Sequence, residues 1–295
     1  MRFGEAEILT VVDDGRFALP FDFIFPDGNL AALAGERASL APDHVDFEAR
    51  TVLLGMQSHV VRVGGLIVLV DTCVGEHKPR PRRPEWDRRA ASGYLANLAA
   101  HGLSPDDVDV VLCTHLHVDH VGWNTRLENG RWVPTFPRAR YLMGRAELDH
   151  WTAVRAAAPE ADAVNHGSFD DSVLPVVEAG RADLVEAGHA VGPGLTLLPL
   201  PGHSPGQLGL RLQTGERAAV FCGDAIHSPV QVFQPRWSSA FCDDPELART
   251  TRLGLLEEAA ENGTMLVPNH LRGATGMHVH RRGAGFAPAY CRCGP

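Results

Sequence analysis

Residues 115–120 read His-Leu-His-Val-Asp-His, three imidazoles and a carboxylate within six positions, directly after the apolar run VDVVLC at 108–113. On an extended or tightly turned segment, side chains two apart project to the same side. His115 and His117 can therefore chelate one ion, and Asp119 continues their parity. His120, one step on, is turned toward a second ion close by. Neutral imidazole and carboxylate without thiolate suit Zn²⁺, with Mn²⁺, Fe²⁺ or Co²⁺ as substitutes. Three later residues repeat one feature of this run. His203 ends LLPLPGH, Asp224 ends AAVFCGD and His270 ends MLVPNH. Each follows an apolar run, and strand ends are where a rigid sheet aims functional side chains.

The elements that must position these groups are legible from periodicity and punctuation. VVRVGGLIVLVDT (60–72) reads as two buried strands joined at Gly-Gly. SGYLANLAAHGL (92–103) has helical spacing with a Ser start and a Gly stop. ARYLMG (139–144) predicts a strand and RAELDHWTAVRAA (145–157) an amphipathic helix. In the second half, LTLLP, LGLRLQTG, RAAVFCGD and TMLVPNH read as strands. DPELARTTRLGLLEEAAENG (244–263) reads as a helix with an Asp cap, a first-turn Pro and a Gly stop. Strands alternate with helices in two comparable halves without a linker. That predicts an α/β architecture, two mixed sheets flanked by helices, as one domain over 1–295 with a tail from about residue 281.

Composition narrows the class. The 295 residues carry a net charge of −9, which argues against a general nucleic-acid binder. No apolar run approaches the ~18 residues needed to span a bilayer, and the first residues lack the pattern of a secretory signal. The six cysteines are scattered, and three follow strand-like runs, as reduced buried thiols in a cytoplasmic protein would. Cys291 and Cys293 are expected in a frayed end. The basic, Pro-rich KPRPRRPEWDRR (78–89) holds Lys78, the sole lysine. It reads either as a solvated connector or as a rim that attracts an anionic substrate.

H-x-H-x-D-H followed at long range by His, Asp and His resembles the metallo-β-lactamase superfamily of metal-dependent hydrolases. The resemblance runs from about Gln57 to His270 and implies an αβ/βα four-layer sandwich. Carried over residue by residue, it implies a first metal site of His115, His117 and His203. The second is then Asp119, His120 and His270, with Asp224 bridging both ions. Two such cations acidify a shared water to a bridging hydroxide, and Asp119 is placed to orient it and pass a proton. The stretch after Asp224, and HVGWNT after the cluster, look like the lactonase and methyl-parathion-hydrolase branch. The expected activity is hydrolysis of a lactone or carboxylic ester in a small molecule. Alternatives are a phosphotriester hydrolase, a glyoxalase-II-like thioesterase, an RNA nuclease, or a non-hydrolytic iron or redox protein. Trp123, His227, Phe233 and Trp237 are candidate pocket residues, and the resemblance admits a homodimer. Ser204 is expected to shape the GHSPG loop and not to act as a nucleophile, and His59, His278 and His280 are expected to play no metal-binding role.

Overall fold

The computed structural model describes residues 1–157 and 164–291. Its strands form two large mixed sheets. In the first, the long strands Ala6–Pro20 and Thr51–Val63 run antiparallel, and the hairpin at Gly64 and Gly65 returns the chain as Leu66–Val70. Leu66–Val70, Val110–Cys113, Arg140–Gly144 and Ala182–Val185 then continue in parallel. The second sheet runs from Ala190–Gly192 through Leu195–Pro199, Leu208–Thr214 and Arg217–Gly223. Met265–Pro268 pairs in parallel with Arg217–Gly223, and a C-terminal hairpin completes the sheet.

The parallel strands are uninterrupted apolar runs because both of their faces are covered. One face of each sheet packs on the other: Val61, Val68, Val70, Leu112 and Leu142 meet Leu197, Leu210, Phe221, Met265 and Val267 in one buried cluster. Behind the first sheet, Val60, Leu69, Val111 and Met143 pack against Tyr94 and Leu98 of helix Tyr94–Ala100 and against Phe169 and Val173. Behind the second, Val220, Cys222 and Leu266 pack against Leu255, Leu256 and Ala259 of helix Pro245–Asn262. The order helix, sheet, sheet, helix is the expected four-layer sandwich.

Helix Pro245–Asn262 begins where its cap requires. The Asp244 carboxylate accepts from the Leu247 amide at 2.9 Å, Pro245 fills the first turn, and Gly263 ends it with φ +67°. Two expectations are corrected. Residues 281–291 are not a tail: Gly276–Arg282 pairs with Gly285–Cys291 and extends the second sheet, while Cys293 lies outside the described residues. The 78–89 loop is not a solvated connector along its length, because Lys78, Arg80 and Trp86 are buried. Among the described residues no helix is long and apolar enough to cross a membrane.

Candidate metal centre

His115, His117 and His203 bring three ring nitrogens to one point. His203 Nε2 lies 3.2 Å from His115 Nε2 and 2.9 Å from His117 Nδ1, which are themselves 3.1 Å apart. Tetrahedral bonds of the length zinc makes to imidazole would set neighbouring nitrogens about 3.3 Å apart. Beside them, Asp224 Oδ1 lies 3.3 Å from His120 Nε2 and 3.1 Å from His270 Nε2. Asp119 reaches the same two imidazoles at 3.9 and 3.7 Å. The other Asp224 oxygen, Oδ2, lies between the groups, 3.4 Å from His203 Nε2 and 3.9 Å from His115 Nε2 of the first trio and 3.3 Å from His270 Nε2 of the second. One carboxylate thus offers an oxygen to each group. His120 Nε2 and Asp224 Oδ1 are buried and have no well-directed hydrogen bond, only the approaches of the site's own groups to one another. Lone pairs aimed at common points, not at protein donors, are what a cation fits.

The sheet places these groups. Asp71 and Thr114 follow adjacent parallel strands, and Asp224 and His270 follow the parallel pair of the second sheet. Gly223, with φ +48°, sits at a register shift against Pro268, where an added Cβ would lie 2.8 Å from Thr114 Oγ1. Asp224 is thereby turned into the cleft. Gly122 permits a second close approach, since a Cβ there would lie 2.0 Å from the Val74 carbonyl.

Buried partners then fix the rings. Asp71 Oδ2 holds His120 Nδ1 at 2.8 Å and accepts from Thr114 Oγ1 at 2.8 Å and Asn269 Nδ2 at 2.7 Å. Thr114 Oγ1 also lies 3.1 Å from His115 Nδ1, and His270 Nδ1 meets the Gly55 carbonyl at 2.9 Å. Anchoring the far nitrogen fixes which one faces the centre. Buried Glu147 ties two loops together, accepting from the Leu116 amide at 3.2 Å and the Gly206 amide at 2.8 Å. Sequence reasoning missed both carboxylates. Asp71 ends an apolar strand, the same signal that singled out Asp224.

The two halves differ electrostatically. Burial, reinforced by the His120, His117 and His203 rings, holds His115 well below the usual imidazole range; burial does the same to His203 and lowers His117. Burial would also lower His120, but Asp224, Asp71 and Asp119 outweigh it and hold its pKa well above 6.5. His270 is raised against burial by Asp224 and Asp119. Burial would raise Asp224, yet His120, His270 and His227 keep it well below the carboxylate range. One trio therefore presents neutral lone pairs, while the other group binds protons that a metal ion has to displace.

A cavity of about 300 Å³ opens onto these groups. Its apolar wall includes Phe17, Leu19, Leu54, Met56, Trp86, Trp151 and Phe241, and Arg82, Arg83 and His166 also line it. Of the candidate pocket residues only His227 lines it, with Nε2 3.3 Å from Asp224 Oδ2 and 3.2 Å from Ser239 Oγ. Trp123 lies behind the cluster, stacked on Tyr94 at 5.3 Å and donating to Asp13 Oδ1 at 3.2 Å. Trp237 packs edge-on against Phe21, and Phe233 lies under Arg282. Their places in the cavity wall are taken by Trp151 and Phe241. The chain after Gly122 doubles back behind the site, and Arg252 ties the Trp237 carbonyl to the helix at 3.0 Å.

A four-layer sandwich with histidine and aspartate donors gathered at its strand ends defines a metal-binding α/β protein. The profile of the metallo-beta-lactamase superfamily matches residues 55–270, and the chain belongs to that superfamily. It is 28% identical over 140 residues to an N-acyl homoserine lactonase of Bacillus cereus, covering 48% of this chain and 45% of that one. It is 26% identical over 223 residues to the N-acyl homoserine lactonase AiiB of Agrobacterium fabrum, covering 70% and 71%. The chain thus spans under half the length of the Bacillus cereus relative. Two solved structures share the fold at a TM-score of 0.82: the hydrolase AbOPH in the beta lactamase superfamily, 23% identical, and AidC, a dizinc quorum-quenching lactonase, 19% identical. Each covers 100% of this chain and 97% of its own.

Proposed function

We propose that the protein is a metal-dependent hydrolase holding two divalent ions, zinc first among them, and cleaving a lactone or carboxylic ester. The observation that carries this reading is Asp224, one carboxylate set between two groups of donors, with Oδ1 toward His120 and His270 and Oδ2 within reach of His203. His115, His117 and His203 would hold one ion; Asp119, His120 and His270 would hold the other. Such a pair lowers the pKa of a water between them and polarises a carbonyl oxygen.

The chain's own residues supply the rest. Asp119 is 17% exposed in its side chain where Asp224 is 5% exposed. It is the carboxylate best placed to orient water and pass a proton to the departing oxygen. His227 reaches the cavity beside Asp224 and can donate to the substrate's carbonyl oxygen. The apolar wall of Phe17, Leu54, Met56 and Trp151 suits an acyl chain and excludes water from the reacting carbonyl. The lactonase relatives support lactones as the first substrates to test.

A hydrolysis panel on the zinc-loaded protein tests the reading: lactones, aryl esters, a thioester, a phosphotriester and a cephalosporin. Turnover of lactones or esters well above the others is expected. Turnover of the phosphotriester or thioester alone would replace the substrate class, and inactivity on all five would sink the hydrolase reading.

A further inference from the structure

The 78–89 loop is held too firmly for a connector. Arg80 grips Asp171 with two parallel bonds, Nη1 to Oδ2 at 2.7 Å and Nη2 to Oδ1 at 2.9 Å, and both side chains are buried. Buried Lys78 donates to Thr125 Oγ1 at 2.7 Å and to the Asp171 carbonyl at 3.2 Å, with its ammonium 3.7 Å from the Trp132 ring. The Asp87 carboxylate accepts from the Arg80 amide at 2.6 Å, and the Trp86 amide donates to the Arg83 carbonyl at 2.9 Å. Together these bonds present Trp86 and Arg83 to the cavity from a rigid base.

Arg83 is the unexplained member. It is half-buried and lines the cavity, and its guanidinium meets the Trp86 ring at 5.8 Å but no carboxylate among the described residues. A partly desolvated guanidinium without an anion is unfavourable, and its planar fork matches a carboxylate. The acidic groups lining the cavity, Asp119 and Asp224, are already engaged by imidazoles. The molecule carries a net charge of −9, so its overall field repels anions. A local cation at the cavity wall opposes that field where it matters.

We propose that Arg83 is a specificity residue that receives a carboxylate on the substrate, remote from the carbonyl under attack. The substrate class is then an ester or lactone whose acyl part ends in an acidic group. This rests on the hydrolase reading above, and the test separates the two.

Aryl esters of equal acyl length, ending in methyl or in carboxylate, are compared on the zinc-loaded full chain at low salt. Preference for the carboxylate ester by about ten-fold or more in kcat/KM is expected, as for a charge-assisted pair. The preference should shrink with added salt and collapse in Arg83→Met. It should survive in Arg88→Met, which removes an exposed charge of the same loop. Binding of the matching non-hydrolysable amides, measured by calorimetry, gives a readout that needs no turnover. Esters cleaved without preference, or an equal fall in both variants, would overturn the Arg83 assignment and leave the hydrolase reading standing. Uncleaved esters with tight, Arg83-dependent binding of the acidic amide would do the reverse.

Discussion

Asp71 shows how much of the centre is made by side chains that touch no ion. Its carboxylate joins two stretches distant from it in sequence, Thr114 and His120 in one and Asn269 in the other, and so fixes the His120 ring against both sheets. Asp71→Asn keeps the shape but replaces an acceptor oxygen, and should weaken metal affinity about 10–100-fold, read by competition with a chromogenic chelator. His59 carries a separate residue-scale consequence. Burial lowers its pKa to about 4 against the pull of the Pro268 carbonyl. The folded chain keeps this imidazole neutral, whereas the unfolded chain, near 6.5, takes up a proton as pH falls. The unfolded state binds more protons between these values, so stability is full above about 6.5 and is lost toward pH 4, by up to about 3 kcal/mol. His59→Gln should flatten that part of the stability curve relative to wild type in denaturant titrations at stepped pH. An unchanged slope would remove His59 from the account. The pairing of His115 with His117 was legible from spacing, but the parity that set Asp119 beside them was not borne out, because the chain turns into the helix Val118–Val121 and carries Asp119 to His120 and His270. Glu147 carried no signal, and Asp71 carried only its place at a strand end, since the partners of both lie far away in sequence and only the fold brings them near.

At the scale of elements, each donor follows a strand whose direction is enforced by its neighbours, and two glycines allow loops to meet. Gly122→Ala would place a Cβ against the Val74 carbonyl, with backbone on both sides and no flexible side chain to yield. It should destabilise by about 3 kcal/mol or more, seen as a lower midpoint of thermal unfolding. A stability equal to wild type would contradict that packing. The helix Arg145–Ala157 matches its sequence periodicity, as does the capped helix Pro245–Asn262. The cavity wall did not follow from pattern. An aromatic near a ligand in sequence, such as Trp123, turns inward behind it, while Trp151 reaches the cavity from one face of a helix whose orientation only packing decides. Of the two readings of the 78–89 loop, the solvated connector failed for a similar reason: its charges look solvated until Asp171 and Thr125 arrive from elsewhere to bury them.

At the scale of the molecule, two sheets of different connectivity press face to face and leave their strand ends at one edge, where both contribute donors. Neither half alone holds a full set: His203, Asp224 and His270 come from the second, and the 115–120 cluster from the first. Metal binding should therefore clamp the two sheets together. Ions bound to the folded state alone stabilise it by mass action, about 4 kcal/mol at a thousand-fold excess over Kd. Removing them with a chelator should lower Tm, and returning zinc should restore it. An unchanged Tm would mean that the sheets do not depend on the centre.

The sharpest test is to count ions by native mass spectrometry on zinc-loaded protein, wild type beside Asp224→Ala. Two ions per wild-type chain are expected, with at least one lost when the shared carboxylate is removed and the fold, by circular dichroism, intact. A single iron in the wild type, or two zinc ions held as tightly by the variant, would contradict a centre built around Asp224.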